Sequence, residues 1–251
     1  MRTLYGIGLQ SLKKLHSLSL FFRFAGHLSF SLKASLCRQH PIDWHRVLEL
    51  LYYSGAKLLL PCIFIGALVS ASLSQTVYMI LSPAYLTHKV LPISEQILTQ
   101  DLLPMLLGFI LCLQAALNLI HSHPERRRQD QETILLKHVV PIMIGMNLTS
   151  FLLYNYLIVV CFLSFYGMFY FTFDISSAEF LFYLTRPVIL WDLLTSLLKT
   201  LCLSTLVSLT AGYYYYETAI RAMALRTAVS RILTRGAFWL ITANAYTKLT
   251  F

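Results

Sequence analysis

The sequence predicts an all-α, polytopic membrane protein: about five transmembrane helices preceded by an amphipathic helix at the membrane surface. Of its 251 residues, 57% are hydrophobic and only 12% are charged, whereas soluble domains carry about 25% charged residues. Mean hydropathy is +0.65, and apolar runs recur at about the twenty-residue length that an α-helix needs to cross a ~30 Å hydrocarbon layer. The longest stretch between such runs is His121–His138, too short to fold as a domain. These observations exclude a soluble enzyme, a membrane anchor bearing a soluble head, and a built-in nucleotide-hydrolysing domain.

The N-terminal 57 residues read as surface helices. Leu9, Leu12, Leu15 and Leu18 share one side of a helical wheel, with Gln10, Lys13, Lys14 and Ser17 opposite. That pattern predicts a helix lying in the interface with its lysines towards anionic headgroups. No small-residue cleavage site follows, so the segment is not read as a signal peptide. Pro41 suits a first helical position, and Trp44, Val47, Leu48, Leu51 and Tyr52 then keep helical spacing. This second segment predicts an elbow helix leading into the first span.

Residues 58–251 read as the membrane domain. The expected spans are Leu58–Ile80, Leu102–Ile120, a long run over Val139–Phe173 crossing from about Leu148, Leu190–Tyr216, and a more polar Leu233–Phe251. Basic residues orient them. Arg2, Lys13, Lys14, Arg23, Lys33, Arg38, Arg46, Lys57, Arg126, Arg127, Arg128, Lys137, Arg221, Arg226, Arg231 and Arg235 fall on one side, against Lys89, Arg186 and Lys248 on the other. By the positive-inside rule the N-terminus is cytoplasmic and the C-terminus lies opposite. Topology therefore accounts for most of the net charge of +9, and no nucleic-acid partner is expected.

Catalytic signals are sparse. No HxxxxD pair, Asp-rich cation site or GxxxxGK[ST] phosphate loop occurs. Cys62, Cys112, Cys161 and Cys202 fall one to an apolar run without ligand spacing, so neither a metal nor another cofactor is expected. The unusual groups are polar side chains inside spans: Lys199, seven residues after Asp192, with Gln75, Gln114 and Asn118 elsewhere. Intramembrane charge is costly and usually faces a partner, a bundle interior or a hydrated cavity. Ser204, Thr205, Ser208 and Thr210 add a polar stripe, of the kind that serves helix–helix packing.

Trp191-Asp192-Leu193-Leu194-Thr195-Ser196-Leu197-Leu198-Lys199-Thr200, a polar-dotted span to Gly212-Tyr213, then Leu225-Arg226-Thr227-Ala228-Val229 and a last span form an ordered set. Asp101-Leu102-Leu103-Pro104, Ile65-Gly66 and the Glu132–Pro141 segment precede them in order. Over about residues 45–251 this set resembles the MlaE/YrbE permease family, with its D-x6-K-[ST] segment, Gly-Tyr pair and E-L-G-P motif. The chain departs from the family's G-R-x-G stretch, where Leu113-Gln114-Ala115-Ala116 stands, with Gln114 in place of the arginine.

The resemblance implies a permease subunit of an ABC-type lipid transporter in a bacterial inner membrane. Its partners would be a cytoplasmic ABC ATPase, a periplasmic MCE-domain lipid carrier and a second permease copy, identical or related. Phospholipid would occupy the cavity between copies. The coupling segment would lie near 121–138, placing Glu125, Arg126, Arg127, Arg128, Asp130, Glu132 and Lys137 against the ATPase. Lys199, Asp192, Gln75 and Gln114 are the candidates for contact with a lipid headgroup. A degenerate structural subunit and a membrane-embedded lipid-modifying enzyme are the alternatives.

Overall fold

The computed structural model describes residues 22–30, 33, 44–84, 86, 89–122, 139–172, 176–184, 187–221 and 224–250, and these are helical nearly throughout, with no strand among them. Helix α1 covers residues 22–30. Its Phe24 and Leu28 are buried, and the Phe24 ring lies 5.8 Å from that of Tyr213 and 5.6 Å from that of Tyr216. The amphipathic segment expected over Leu9–Ser19 lies outside the described residues.

Helix α2 (Trp44–Leu51) is the expected elbow, and it passes through a wide π-turn at Tyr52–Ala56 into α3 (Lys57–Leu81). Only part of its apolar arc meets protein. Val47 is fully buried, whereas Trp44, Leu48 and Tyr52 are each about 60% exposed and face outwards. On α3, Cys62, Gly66, Ser70 and Ser74 are buried at every fourth position. Small residues so spaced let two helix backbones approach closely in a membrane. The neighbour is α6 (Val140–Thr172): a Cβ at Gly66 would strike the Leu157 side chain, and the Ser164 hydroxyl donates to the Ala67 carbonyl at 3.0 Å.

The second span starts earlier than its apolarity suggests. Helix α4 (Val90–Ile97), a second π-turn (Leu98–Leu102) and α5 (Leu103–Ser122) form one continuous rod. Glu95, Gln96 and Asp101 interrupt the hydrophobic run in sequence, yet Glu95 and Thr99 are buried against other helices, so lipid does not meet them. A short α7 (Ser177–Leu184) follows α6, then α8 (Pro187–Arg221) and α9 (Leu225–Thr250). Pro187 opens α8, and Pro92 and Pro141 sit in the first turns of α4 and α6, where a missing amide proton breaks no helical bond.

Four helices, the α4–α5 rod counted as one, are long and apolar enough to cross a membrane: Lys57–Leu81, Val90–Ile120, Val140–Thr172 and Leu190–Thr218. Helix α9 completes the expected bundle of about five but is not among those four. Arg226, Arg231 and Arg235 crowd its first half. Helices α6 and α8, at 33 and 35 residues, are each about 50 Å long and exceed the hydrocarbon thickness.

Helix α8 is the hub, packing against α5, α6 and α9. The α5–α9 seam is closed by reciprocal notches. A Cβ at Gly108 would stand 2.6 Å from Leu240, and one at Gly236 would stand 2.6 Å from the Cys112 sulfur. Overpacking a tight contact costs about 1–3 kcal/mol. Gly236→Val therefore lowers the thermal midpoint of the purified protein, and adding Cys112→Ala recovers part of the loss. Independent, additive effects of the two changes in a double-mutant cycle would refute the notch.

Candidate functional site

The site begins with a proline. In the turn at Leu98–Leu102 the Leu103 N–H reaches back five residues to the Leu98 carbonyl. The next acceptor, the Thr99 carbonyl, would take its π-type bond from residue 104, which is Pro104 and has no N–H. The Gln100 carbonyl loses its ordinary α-helical donor for the same reason. A carbonyl left bare in a membrane costs several kcal/mol, so neighbouring side chains replace the missing amide. The Ser196 hydroxyl donates to the Thr99 carbonyl, and the Lys199 ammonium donates to the Gln100 carbonyl at 2.7 Å. Both come from α8, three residues apart and hence on one face.

Charge gathers around this turn. The Lys199 Nζ lies 3.7 Å from one oxygen of Asp101, and the Lys248 Nζ, from the last turns of α9, lies 2.8 Å from the other. The Gln100 amide donates to the Asp192 carboxylate at 3.2 Å, and the Tyr154 hydroxyl donates to the Leu193 carbonyl at 3.0 Å. Glu95, one turn before the bend, is 6% exposed and accepts from the Thr99 hydroxyl at 3.4 Å. The turn, α8, α9 and α6 thus meet in one polar cluster. It opens outwards along Lys199, Asp101 and Lys248, whose side chains are 15%, 26% and 56% exposed. Such a cluster can present ammonium groups to an anion from within an otherwise apolar bundle.

Of the residues singled out in the sequence, Lys199 and Asp192 come together here. Gln75 does not join them: it lies on the outward face of α3, exposed beside Ser72 and Thr76. Gln114 is buried on α5, thirteen residues and about 20 Å along the helix from Asp101. Glu125, Arg126, Arg127, Arg128, Asp130, Glu132 and Lys137 lie outside the described residues. In the polar stripe of α8, the Ser204 hydroxyl donates to the Asn147 side chain at 2.7 Å, whereas the Thr205, Ser208 and Thr210 hydroxyls bond back to carbonyls of their own helix. Thr99, Gln100, Ser196 and Lys248 were not among the candidate site residues. Pro104 was the available signal, since a proline inside a long helix frees carbonyls that something must satisfy.

The opposite end of α8 carries a second, smaller set. Glu217 is buried, with the Arg231 guanidinium at 3.8 Å. The Arg235 guanidinium stands 5.7 Å from the Tyr214 ring centre, and the Tyr215 hydroxyl donates to the Ala115 carbonyl at 2.9 Å. These contacts tie α5, α8 and α9 together near the C-terminal end of α8.

Hydrogen bonds to charged groups contribute about 1.5–3 kcal/mol. Lys199→Met removes the donor to Gln100 and one partner of Asp101, so it destabilises the protein by roughly that amount. Pairing it with Pro104→Ala, which restores an N–H to the turn, returns part of the loss. A thermal-denaturation cycle in detergent with no coupling between the two positions would rule out the shared carbonyl.

No curated protein matches the chain. Residues 134–250, which contain α6, α8, α9 and the Asp192–Lys199 segment, match the family model described as Permease MlaE. The matched range, somewhat under half of the chain, contains the motifs from Asp192 to Val229 in their expected order, and over that range the chain is similar to the MlaE permease family.

Proposed function

We propose that the protein is the permease subunit of an ABC-type lipid transporter, moving phospholipid between an inner membrane and a periplasmic MCE-type carrier. The observation that carries this reading is the permease match over residues 134–250, because it spans Asp192, Ser196 and Lys199, the α8 side chains of the polar cluster. ATP is hydrolysed by a separate cytoplasmic subunit. Two permease copies, identical or related, enclose a lipid-sized cavity, with Lys199 and Asp192 as its headgroup contacts and the exposed apolar faces of the long helices along the tails. Residues 1–57 lie along the cytoplasmic face, and residues 58–251 are the permease domain. In this arrangement the N-terminus is cytoplasmic and the C-terminus periplasmic.

Coupling runs through the segment near 121–138. Closure of the ATPase pair displaces Glu125, Arg126, Arg127, Arg128, Asp130, Glu132 and Lys137, and the displacement passes along α5 and α6 to the turn at Leu98–Leu102. The substitution of Gln114 for the family's arginine favours a second reading, a structural subunit that has lost its own cargo.

Purification with native partners, followed by mass spectrometry of bound proteins and lipids, separates these readings. An ATPase together with phospholipid is the expected result. An ATPase without lipid would favour the structural subunit, and the absence of both would overturn the transporter reading. Replacing Arg126, Arg127, Arg128 and Glu132 by alanine should leave membrane insertion intact while abolishing lipid movement at a retained ATPase rate. Full transport by that variant would remove the segment from coupling.

A further inference from the structure

We propose that Lys248 and Lys199 form a two-ammonium clamp for the phosphate of a lipid headgroup, and that Asp101 is the internal anion holding the clamp when no lipid is bound. The inference rests on the transporter reading above and adds to it a residue, Lys248, that lies outside the motifs carrying the family resemblance.

Three observations converge. The two ammonium groups come from different helices, α8 and α9, and close on opposite oxygens of a single carboxylate, at 3.7 Å and 2.8 Å. Among the described residues neither lysine has a second carboxylate within ion-pair distance, and Asp192 is held by the Gln100 amide instead. The trio itself, two ammonium groups on one carboxylate, carries one positive charge in excess, while the nearby Asp192 and Glu95 carboxylates accept from Gln100 and Thr99 instead. A phosphodiester carries one negative charge and several acceptor oxygens, enough to take both ammonium groups at once.

The geometry also supplies an entrance. Asp101 is 26% exposed and Lys248 is 56% exposed, so an anion approaching from outside the bundle meets Lys248 first. Lys199 is anchored from behind by the Gln100 carbonyl and has a further N–H to give. On α8, the exposed side chains of Trp191, Leu194 and Leu198 keep helical spacing in the turns leading up to Lys199, offering an apolar track to acyl tails. Phosphate entry therefore exchanges the Lys248–Asp101 ion pair for one between Lys248 and the lipid anion. The anchored lysine positions the phosphate, and the exposed one completes the capture.

The test uses the full chain, purified in detergent with its native partners, and measures lipid binding by native mass spectrometry. The probes are phosphatidylglycerol, the diacylglycerol with the same tails, and inorganic phosphate. Lys248→Gln should weaken phosphatidylglycerol binding about tenfold, the loss of one charge-assisted contact, and leave diacylglycerol binding unchanged. Lys248→Arg should restore it. Asp101→Asn, which removes the competing internal anion, should shift binding in the opposite sense by roughly the same factor.

Equal weakening by Asp101→Asn and Lys248→Gln would reduce the trio to a structural brace and overturn the clamp. So would phosphatidylglycerol binding that is indifferent to Lys248. Inorganic phosphate binding as tightly as phosphatidylglycerol would reassign the site to a free anion. Failure of the wild-type protein to bind phosphatidylglycerol at all would overturn the transporter reading along with the clamp, which distinguishes the two failures. The Lys248 side chain is 56% exposed, and restored binding in the charge-keeping Lys248→Arg variant separates loss of the headgroup contact from loss of fold.

Discussion

A proline in a membrane-spanning rod imposes a demand that water cannot meet. Pro104 withholds one N–H, and the wide turn before it shifts the pattern so that two successive carbonyls, Thr99 and Gln100, look for donors elsewhere. Helix α8 answers with a hydroxyl and an ammonium three residues apart. Once an ammonium is inside the bundle it requires an anion, and Asp101 on the same turn provides it; the spare carboxylate oxygen then draws in Lys248 from α9. One missing proton thus leads, step by step, to an ionic junction of three helices. A buried ion pair is weak evidence of stability in itself. Its Lys199 arm also ties α8 to the bend, because the same ammonium holds the Gln100 carbonyl.

Around that junction the bundle is held by shape. Burying apolar side chains drives little association between helices in lipid, since tails are as apolar as leucine; close van der Waals packing takes its place. The chain uses it twice. Cys62, Gly66, Ser70 and Ser74 give α3 a narrow face for α6, and the glycines at 108 and 236 seat side chains of the opposing helix. Most α8 hydroxyls bond to their own helix, which lets polar residues pass through the membrane without specifying a partner.

The parts of this architecture legible in the sequence were those encoded by local pattern. Apolar runs located α3, α6 and α8, and the seven-residue spacing from Asp192 to Lys199 marked the face that meets the turn. The start of the second span was misplaced by twelve residues, at Leu102 rather than Val90, because Glu95 and Asp101 count as polar in any hydropathy reading although other helices cover them. In sequence, Lys248 counts only as one of the few basic residues on the side opposite the N-terminus. Its partner lies 147 residues away on another helix, and no local pattern encodes such a pairing. Helix α9 was weak as a span for a sound reason: its first half carries arginines that face Glu217 and Tyr214 rather than lipid.

The paired notches between α5 and α9 also limit how those helices move. Gly108 receives Leu240 while Gly236 receives Cys112, one turn further along two antiparallel rods. Sliding α9 by a single turn would press Leu240 onto Cys112 and leave glycine facing Ala116, a clash and a void together. Axial shear, the easy motion between smooth helices, is therefore blocked at this seam. The two rods travel as one rigid lever, and any rearrangement of the bundle must hinge elsewhere.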